Sequence, residues 1–179
     1  SDVEKALIIE GKIDLIYPSL MIDLDDNIYI TQRSGNGWIV RKVDAQGVVT
    51  HFAGNGMQGN TGDGGPATDA SFHTISDINT DREGNVYIAD SINRNIRRVD
   101  LQGNISMVAE ESLALLGTEV HPNGIVIDEA DNIYFSDSGG SKLYRIDPDG
   151  NIKTIAGTGD FEDHGDGGPA LKAGLRSPG

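Results

Sequence analysis

The sequence has no cysteine, which removes disulfides, thiolate metal sites and a cysteine nucleophile and leaves either redox compartment open. It is also poor in basic residues: 14 Lys and Arg stand against 28 Asp and Glu. The resulting field repels phosphate backbones and anionic headgroups, so no nucleic-acid partner is expected. No apolar run approaches the roughly 20 residues that span a bilayer, and the polar stretch from Ser1 has no signal-peptide core. No membrane insertion is expected. Gly-x-Ser-x-Gly, P-loop and dinucleotide fingerprints are missing, which leaves hydrolase elbows and nucleotide cradles without support. His51, His73, His121 and His164 show no zinc spacing. What is abundant is glycine, 24 residues placed between short apolar runs, which implies many turns.

The turns recur in a fixed order. Asn27-Ile28-Tyr29-Ile30, Asn85-Val86-Tyr87-Ile88 and Asn132-Ile133-Tyr134-Phe135 each follow an aspartate, Asp23, Asp81 or Asp128, by four residues. Val43-Asp44-x-x-Gly47, Val99-Asp100-x-x-Gly103 and Ile146-Asp147-x-x-Gly150 come next, each followed by another β-rich run. Gly62-Asp63-Gly64-Gly65-Pro66-Ala67 returns as Gly165-Asp166-Gly167-Gly168-Pro169-Ala170, and the shorter middle repeat lacks it. Each repeat thus reads as four short strands joined by turns, in the first repeat about 20–23, 28–32, 39–44 and 48–53. Alternation of apolar and polar residues is imperfect, as expected of sheets stacked between two neighbours.

Asn123-Gly124-Ile125-Val126-Ile127-Asp128 with Asn132-Ile133-Tyr134-Phe135-Ser136-Asp137, and Asn93-Arg94-Asn95-Ile96-Arg97-Arg98-Val99-Asp100, resemble NHL repeats. Arg94, Trp38 and Ser141 stand where that family's histidine belongs. The resemblance, which covers about 15–179, implies an all-β fold: a β-propeller of four-stranded antiparallel blades, usually six around a central channel. It also favours an extracytoplasmic or secreted setting.

The expected division is an N-terminal cap, strand or linker over 1–14, repeats over 15–71, 72–118 and 119–174, and the start of a fourth over 175–179. Leu15-x-x-Pro18 and Leu175-x-x-Pro178 mark the same position, with Phe72 and Glu119 between them. A six-bladed ring needs roughly twice this length. The expectation is therefore either part of a longer propeller chain or a ring closed by a second copy.

Candidate chemistry is sparse, and each candidate has a plainer reading. Asp23-x-Asp25-x-Asn27 opens like a calcium loop, but Ile28 and Ser34 occupy the glycine and glutamate positions, so it reads as a hairpin turn. Asp160, Glu162, Asp163 and Asp166 crowd around His164 with enough oxygen for a weak Ca²⁺ site, or form a solvated acidic connection. The repeated Gly-Asp-Gly-Gly-Pro-Ala is expected to be a turn whose aspartate binds backbone N–H groups. Arg94, Arg97 and Arg98 either meet an acidic partner or pair locally. Trp38 is a contact residue or a packed plug.

Similarity to gluconolactonase-like propellers implies a channel metal held at the starts of inner strands. Asn123 matches that pattern, whereas Pro18, Ser76 and Gly179 stand at the equivalent positions. His73 and His121 precede inner strands, and amidating lyases with NHL-like propellers use channel histidines. The candidate ligand-binding set on the channel or loop face is therefore His73, Ser76, Asp77, His121, Asn123 and Trp38. No cofactor is required by the sequence; Ca²⁺ or another divalent cation is the candidate. The first functional expectation is a module binding a protein, peptide or carbohydrate. The alternatives are a metal-dependent lactonase-like or lyase-like enzyme and a structural segment of a larger secreted protein.

Overall fold

The computed structural model describes residues 19–117 and 120–179. The 1–14 segment, together with Leu15, Pro18 and Glu119 of the repeat register, lies outside the described residues. Among the described residues, twelve strands form three sheets, each a simple antiparallel meander. The first is β1 (Leu20–Ile22), β2 (Ile28–Ser34), β3 (Gly37–Val43) and β4 (Val49–Ala53). The second is β5 (Ile75–Thr80), β6 (Val86–Asp90), β7 (Asn95–Val99) and β8 (Ile105–Met107). The third is β9 (Pro122–Ile127), β10 (Ile133–Asp137), β11 (Lys142–Ile146) and β12 (Ile152–Ala156). They are three consecutive blades of a partial β-propeller.

The repeated Asp-x-x-x-Asn-x-Tyr builds the first hairpin of every blade. Asp81 Oδ1 accepts the Glu83 and Asn85 amides at 3.0 and 2.9 Å, while Oδ2 accepts the Asn85 side chain at 2.7 Å and the Tyr87 hydroxyl at 3.1 Å. Asp23 and Asp128 make the same set with Asn27 and Tyr29 and with Asn132 and Tyr134. Burial pushes the Asp23 carboxyl up, but the donors from Asn27, Asp25 and Tyr29 outweigh it and hold it below the ordinary range. The calcium-like spacing at Asp23 is thus a turn whose carboxylate is occupied by the chain's own donors. Asp44, Asp100 and Asp147 close the third-to-fourth-strand turns in a similar way.

Blades pack face to face. Met21, Tyr29, Trp38 and Val40 of the first blade meet Ile78, Ile88 and Val99 of the second across Phe72. Tyr87, Ala89 and Ile96 then meet Ile125, Phe135, Tyr144 and Ile146 of the third. Each fully buried side chain of this size contributes about 1.5–3 kcal/mol. Because one blade uses both of its faces, alternation in its strands is blurred, as in the run Val86–Asp90, where every residue is buried.

Two features depart from expectation. The shorter connection after the second blade contains a helix, α1 (Glu110–Leu115), which buries Leu113 against the second interface. The aspartate of Gly-Asp-Gly-Gly-Pro-Ala does not cap backbone amides: Asp63 binds the guanidinium of Arg97, with Nε–Oδ1 3.1 Å and Nη2–Oδ2 2.9 Å. Of the three arginines, Arg97 therefore pairs within the chain, with the connection that enters its own blade. It is completely buried, lies 4.8 Å from the Phe72 ring centroid, and donates to the Ser71 and Thr61 carbonyls at 2.9 Å each. A buried cation persists when it is well paired, and here each guanidinium nitrogen has an acceptor and the Asp63 contact is fork to fork.

Candidate functional site

The first strands of the blades, β1, β5 and β9, lie side by side and define the channel side. Near the start of β5 and β9 the pairing with the next strand slips, between Ile75 and Asp77 and across the corresponding Asn123-Gly124. Such bulges redirect side chains and recur beside active sites. The slips bring Ser76, Asp77, Asn123 and Gly124 into one neighbourhood, and a buried aspartate at the end of β6 and of β10 holds the chain leading into it. Asp90 accepts the His73 and Thr74 amides at 3.1 and 2.9 Å, and Asp137 accepts those of His121, Gly139 and Gly140 at 2.8, 3.1 and 2.9 Å. Burial pushes the Asp90 carboxyl up, against these amides and Asn93.

Most of the polar groups predicted to face a ligand are engaged within the chain. Asp77 Oδ1 accepts the Ser19 hydroxyl at 2.6 Å and its Oδ2 accepts the Ile125 amide at 2.9 Å, so one carboxylate joins three blades. Ser76 Oγ lies 2.9 Å from the Pro122 carbonyl and 3.2 Å from that of Ala89. The side chain of Asn79, absent from the predicted set, donates to the Ile125 carbonyl at 3.0 Å. The Ser136 hydroxyl, also absent from it, accepts the Gly124 amide at 2.8 Å. The repeated Tyr87-x-x-Asp90 and Tyr134-x-x-Asp137 were the available signal for the anchoring aspartates.

The remaining candidates separate. His73 and His121 are half-buried at equivalent positions: the Gln58 amide meets His73 Nε2 at 2.6 Å, and His121 Nδ1 meets the Ser91 carbonyl at 3.1 Å. Asn123 lies beside Gly179, whose Cβ, were there one, would stand 2.9 Å from the Asn123 amide nitrogen. Trp38 is buried between the first two blades under Arg33, which makes it the packed plug and not a contact residue. Asp160, Glu162, Asp163 and Asp166 are all exposed, with Asp163 accepting the Arg176 amide at 3.2 Å.

A channel cation of the gluconolactonase kind does not fit the donors described here. Asn123 offers a carbonyl oxygen, but both Asp77 oxygens already face N–H and O–H donors, and Ser76 is turned to backbone carbonyls. Hard cations need several convergent oxygens. Among the described residues, no three His, Asp or Glu side chains gather as a cation site.

No family model and no curated protein matches the chain. Solved structures resemble it in fold. A protein of unknown function from Bacteroides thetaiotaomicron shares 18% identity over 89% of this chain and 40% of its own, with a TM-score of 0.64. A virginiamycin B lyase from Staphylococcus aureus shares 19% over 77% and 40%, at 0.56. Regucalcin, a calcium-binding protein from Agrobacterium tumefaciens, shares 18% over 75% and 43%, at 0.56. The chain spans about 40% of the length of the structures it resembles, and the likeness establishes a β-propeller fold.

Proposed function

We propose that the chain is a propeller module of the NHL-repeat type that binds a protein, peptide or carbohydrate ligand at the channel end of its inner strands. The observation that carries this reading is the state of Asp77. The carboxylate best placed for acid–base or metal chemistry is spent on holding three blades together, which leaves the amide of Asn123 and the imidazoles of His73 and His121 as hydrogen-bonding groups. Hydrogen-bond donors and acceptors on a rigid scaffold suit recognition of hydroxyls and peptide groups.

Fold likeness to a lyase and to a calcium-binding propeller supports a second reading, a metal-dependent lactonase-like or lyase-like enzyme. Panning the chain against glycan and random-peptide arrays, followed by elemental analysis, separates the two. A ligand whose binding falls at least about tenfold in Asn123→Ala, a loss of about 1.4 kcal/mol, supports the binding module. One stoichiometric divalent ion that disappears in the same variant overturns it.

A further inference from the structure

The two Gly-Asp-Gly-Gly-Pro-Ala connections adopt one conformation but differ in what they touch. The Gly54 and Asn55 amides donate to Ala67 and Ala70 carbonyls at 2.8 and 2.7 Å, and Gly157 and Thr158 do so to Ala170 and Ala173 at 3.0 and 2.9 Å. Gly62 and Gly64 have φ of 102° and 85°, and Gly165 and Gly167 have 89° and 79°. The first copy lies against the next blade. Its Gly64 amide donates to the Ile105 carbonyl at 2.8 Å, its Gly65 carbonyl accepts the Ile105 amide at 2.9 Å, and Asp63 grips Arg97. Ala67 is accordingly buried, whereas Ala170 and Asp166 in the second copy are exposed.

The register says what the second copy is shaped to receive. Arg97 sits opposite Ile88 on the second strand and Met107 on the fourth. In the third blade that place, opposite Phe135 and Thr154, belongs to Tyr144, and the connection entering that blade is the one without the motif. In the first blade the place, opposite Ile30 and His51, belongs to Arg41. The apolar residues follow the same logic. Leu20 shares a register with Ile78 and Ile125, which are 2% and 3% exposed inside blade interfaces, yet Leu20 is 43% exposed. Val126 shares one with Met21, which is 8% exposed, yet Val126 is 59% exposed and borders a groove of about 490 Å³ with Tyr134, Leu143 and Ile155.

We infer that the face of the third blade, with its 160–170 connection, docks the first blade of a second copy of this chain, Asp166 pairing with Arg41 of the partner subunit as Asp63 pairs with Arg97. The chain carries both halves of the contact, a carboxylate in a preformed loop at one end and a guanidinium at the matching register at the other. Two such contacts related by a twofold axis close a ring of six blades. The docking stands apart from any ligand of the channel.

Light scattering coupled to size exclusion tests it on the full chain. Unaltered protein elutes at twice the chain mass of 19.0 kDa. Asp166→Arg and Arg41→Asp each reduce that mass by half, and the double exchange restores it, with circular dichroism reporting the fold of each. Should Arg41→Asp fail to fold, the exposed Asp166→Arg decides alone. A monomer at every concentration, the outcome if the occupant were a further blade of a longer chain, overturns the inference. So does a dimer indifferent to Asp166→Arg, or a double exchange that folds and stays monomeric.

Discussion

The carboxylate of Asp77, on the first strand of the second blade, accepts the backbone N–H of Ile125 on the first strand of the third at 2.9 Å. Its other oxygen reaches back to Ser19 of the first blade at 2.6 Å. A group that joins three blades is part of the framework on which a channel ligand would rest. Replacing Asp77 by alanine orphans both donors and is expected to cost about 1–3 kcal/mol. Equilibrium urea denaturation checks this, and a midpoint unchanged from the parent chain would contradict it.

Asp63 and Arg97 should respond unequally to removal. Arg97 is fully buried while the Asp63 side chain is 27% exposed, so Asp63→Ala strands a cation in a dry site, whereas Arg97→Met leaves a carboxylate that water reaches. The expected cost is about 3–5 kcal/mol for the first and about 1–3 kcal/mol for the second. Thermal unfolding of the two variants under one buffer gives the order.

The phenols of the repeated hairpins should titrate late. Burial, reinforced by the negative charge of Asp81, pushes Tyr87 up to about 12. Tyr29 is raised by burial and by Asp23, Tyr134 by its hydrogen bond to Asp128, and Tyr144 by burial and Asp137. An unfolded tyrosine ionises near about 10, so above that pH the unfolded chain holds fewer protons than the native one and stability falls as pH rises. For Tyr87 the contribution is whole below about 10 and is lost as pH passes through about 12. Ultraviolet titration of phenolate, paired with denaturation at each pH, measures both. Ordinary titration of Tyr29, Tyr87 or Tyr134 in the folded chain would refute the hairpin account.

Two glycines of similar conformation should tolerate alanine differently. Gly47 and Gly54 have φ of 81° and 85°. A Cβ on Gly47 meets nothing within 4 Å, whereas one on Gly54 runs into the Trp38 carbonyl oxygen. Gly47→Ala is expected to cost about 1–2 kcal/mol, the left-handed strain alone. In Gly54→Ala overpacking adds about 1–3 kcal/mol. Denaturation midpoints of the two variants give the comparison.

The strands and hairpins were legible because their causes are local. Asp81, Asn85 and Tyr87 lie within seven residues and close the turn whatever the rest of the chain does, and the same spacing in three places announces three sheets. The second and third strands of the first blade run longer than expected, to Ser34 and from Gly37, because a tight turn at Gly35 lets pairing continue to the end. The helix at Glu110–Leu115 was not legible, since six residues carry too little periodicity to stand out. At the candidate site, the sequence brought Ser76, Asp77 and Asn123 to the inner strands but not the partners that occupy them. Ser19, Pro122 and Ile125 are 46 to 58 residues away from the side chains they bind.

By itself, then, the sequence determined the repeat, the antiparallel hairpins and the blade architecture, all of which follow from short-range hydrogen bonding and from apolar spacing. The tertiary structure decided the uses of charge. Whether Asp77 meets a ligand or a neighbouring blade, and whether Asp63 caps a turn or holds Arg97, depends on which distant strand lies alongside. Blade packing sets that by burying apolar faces, a force without direction in which the polar side chains then find their partners.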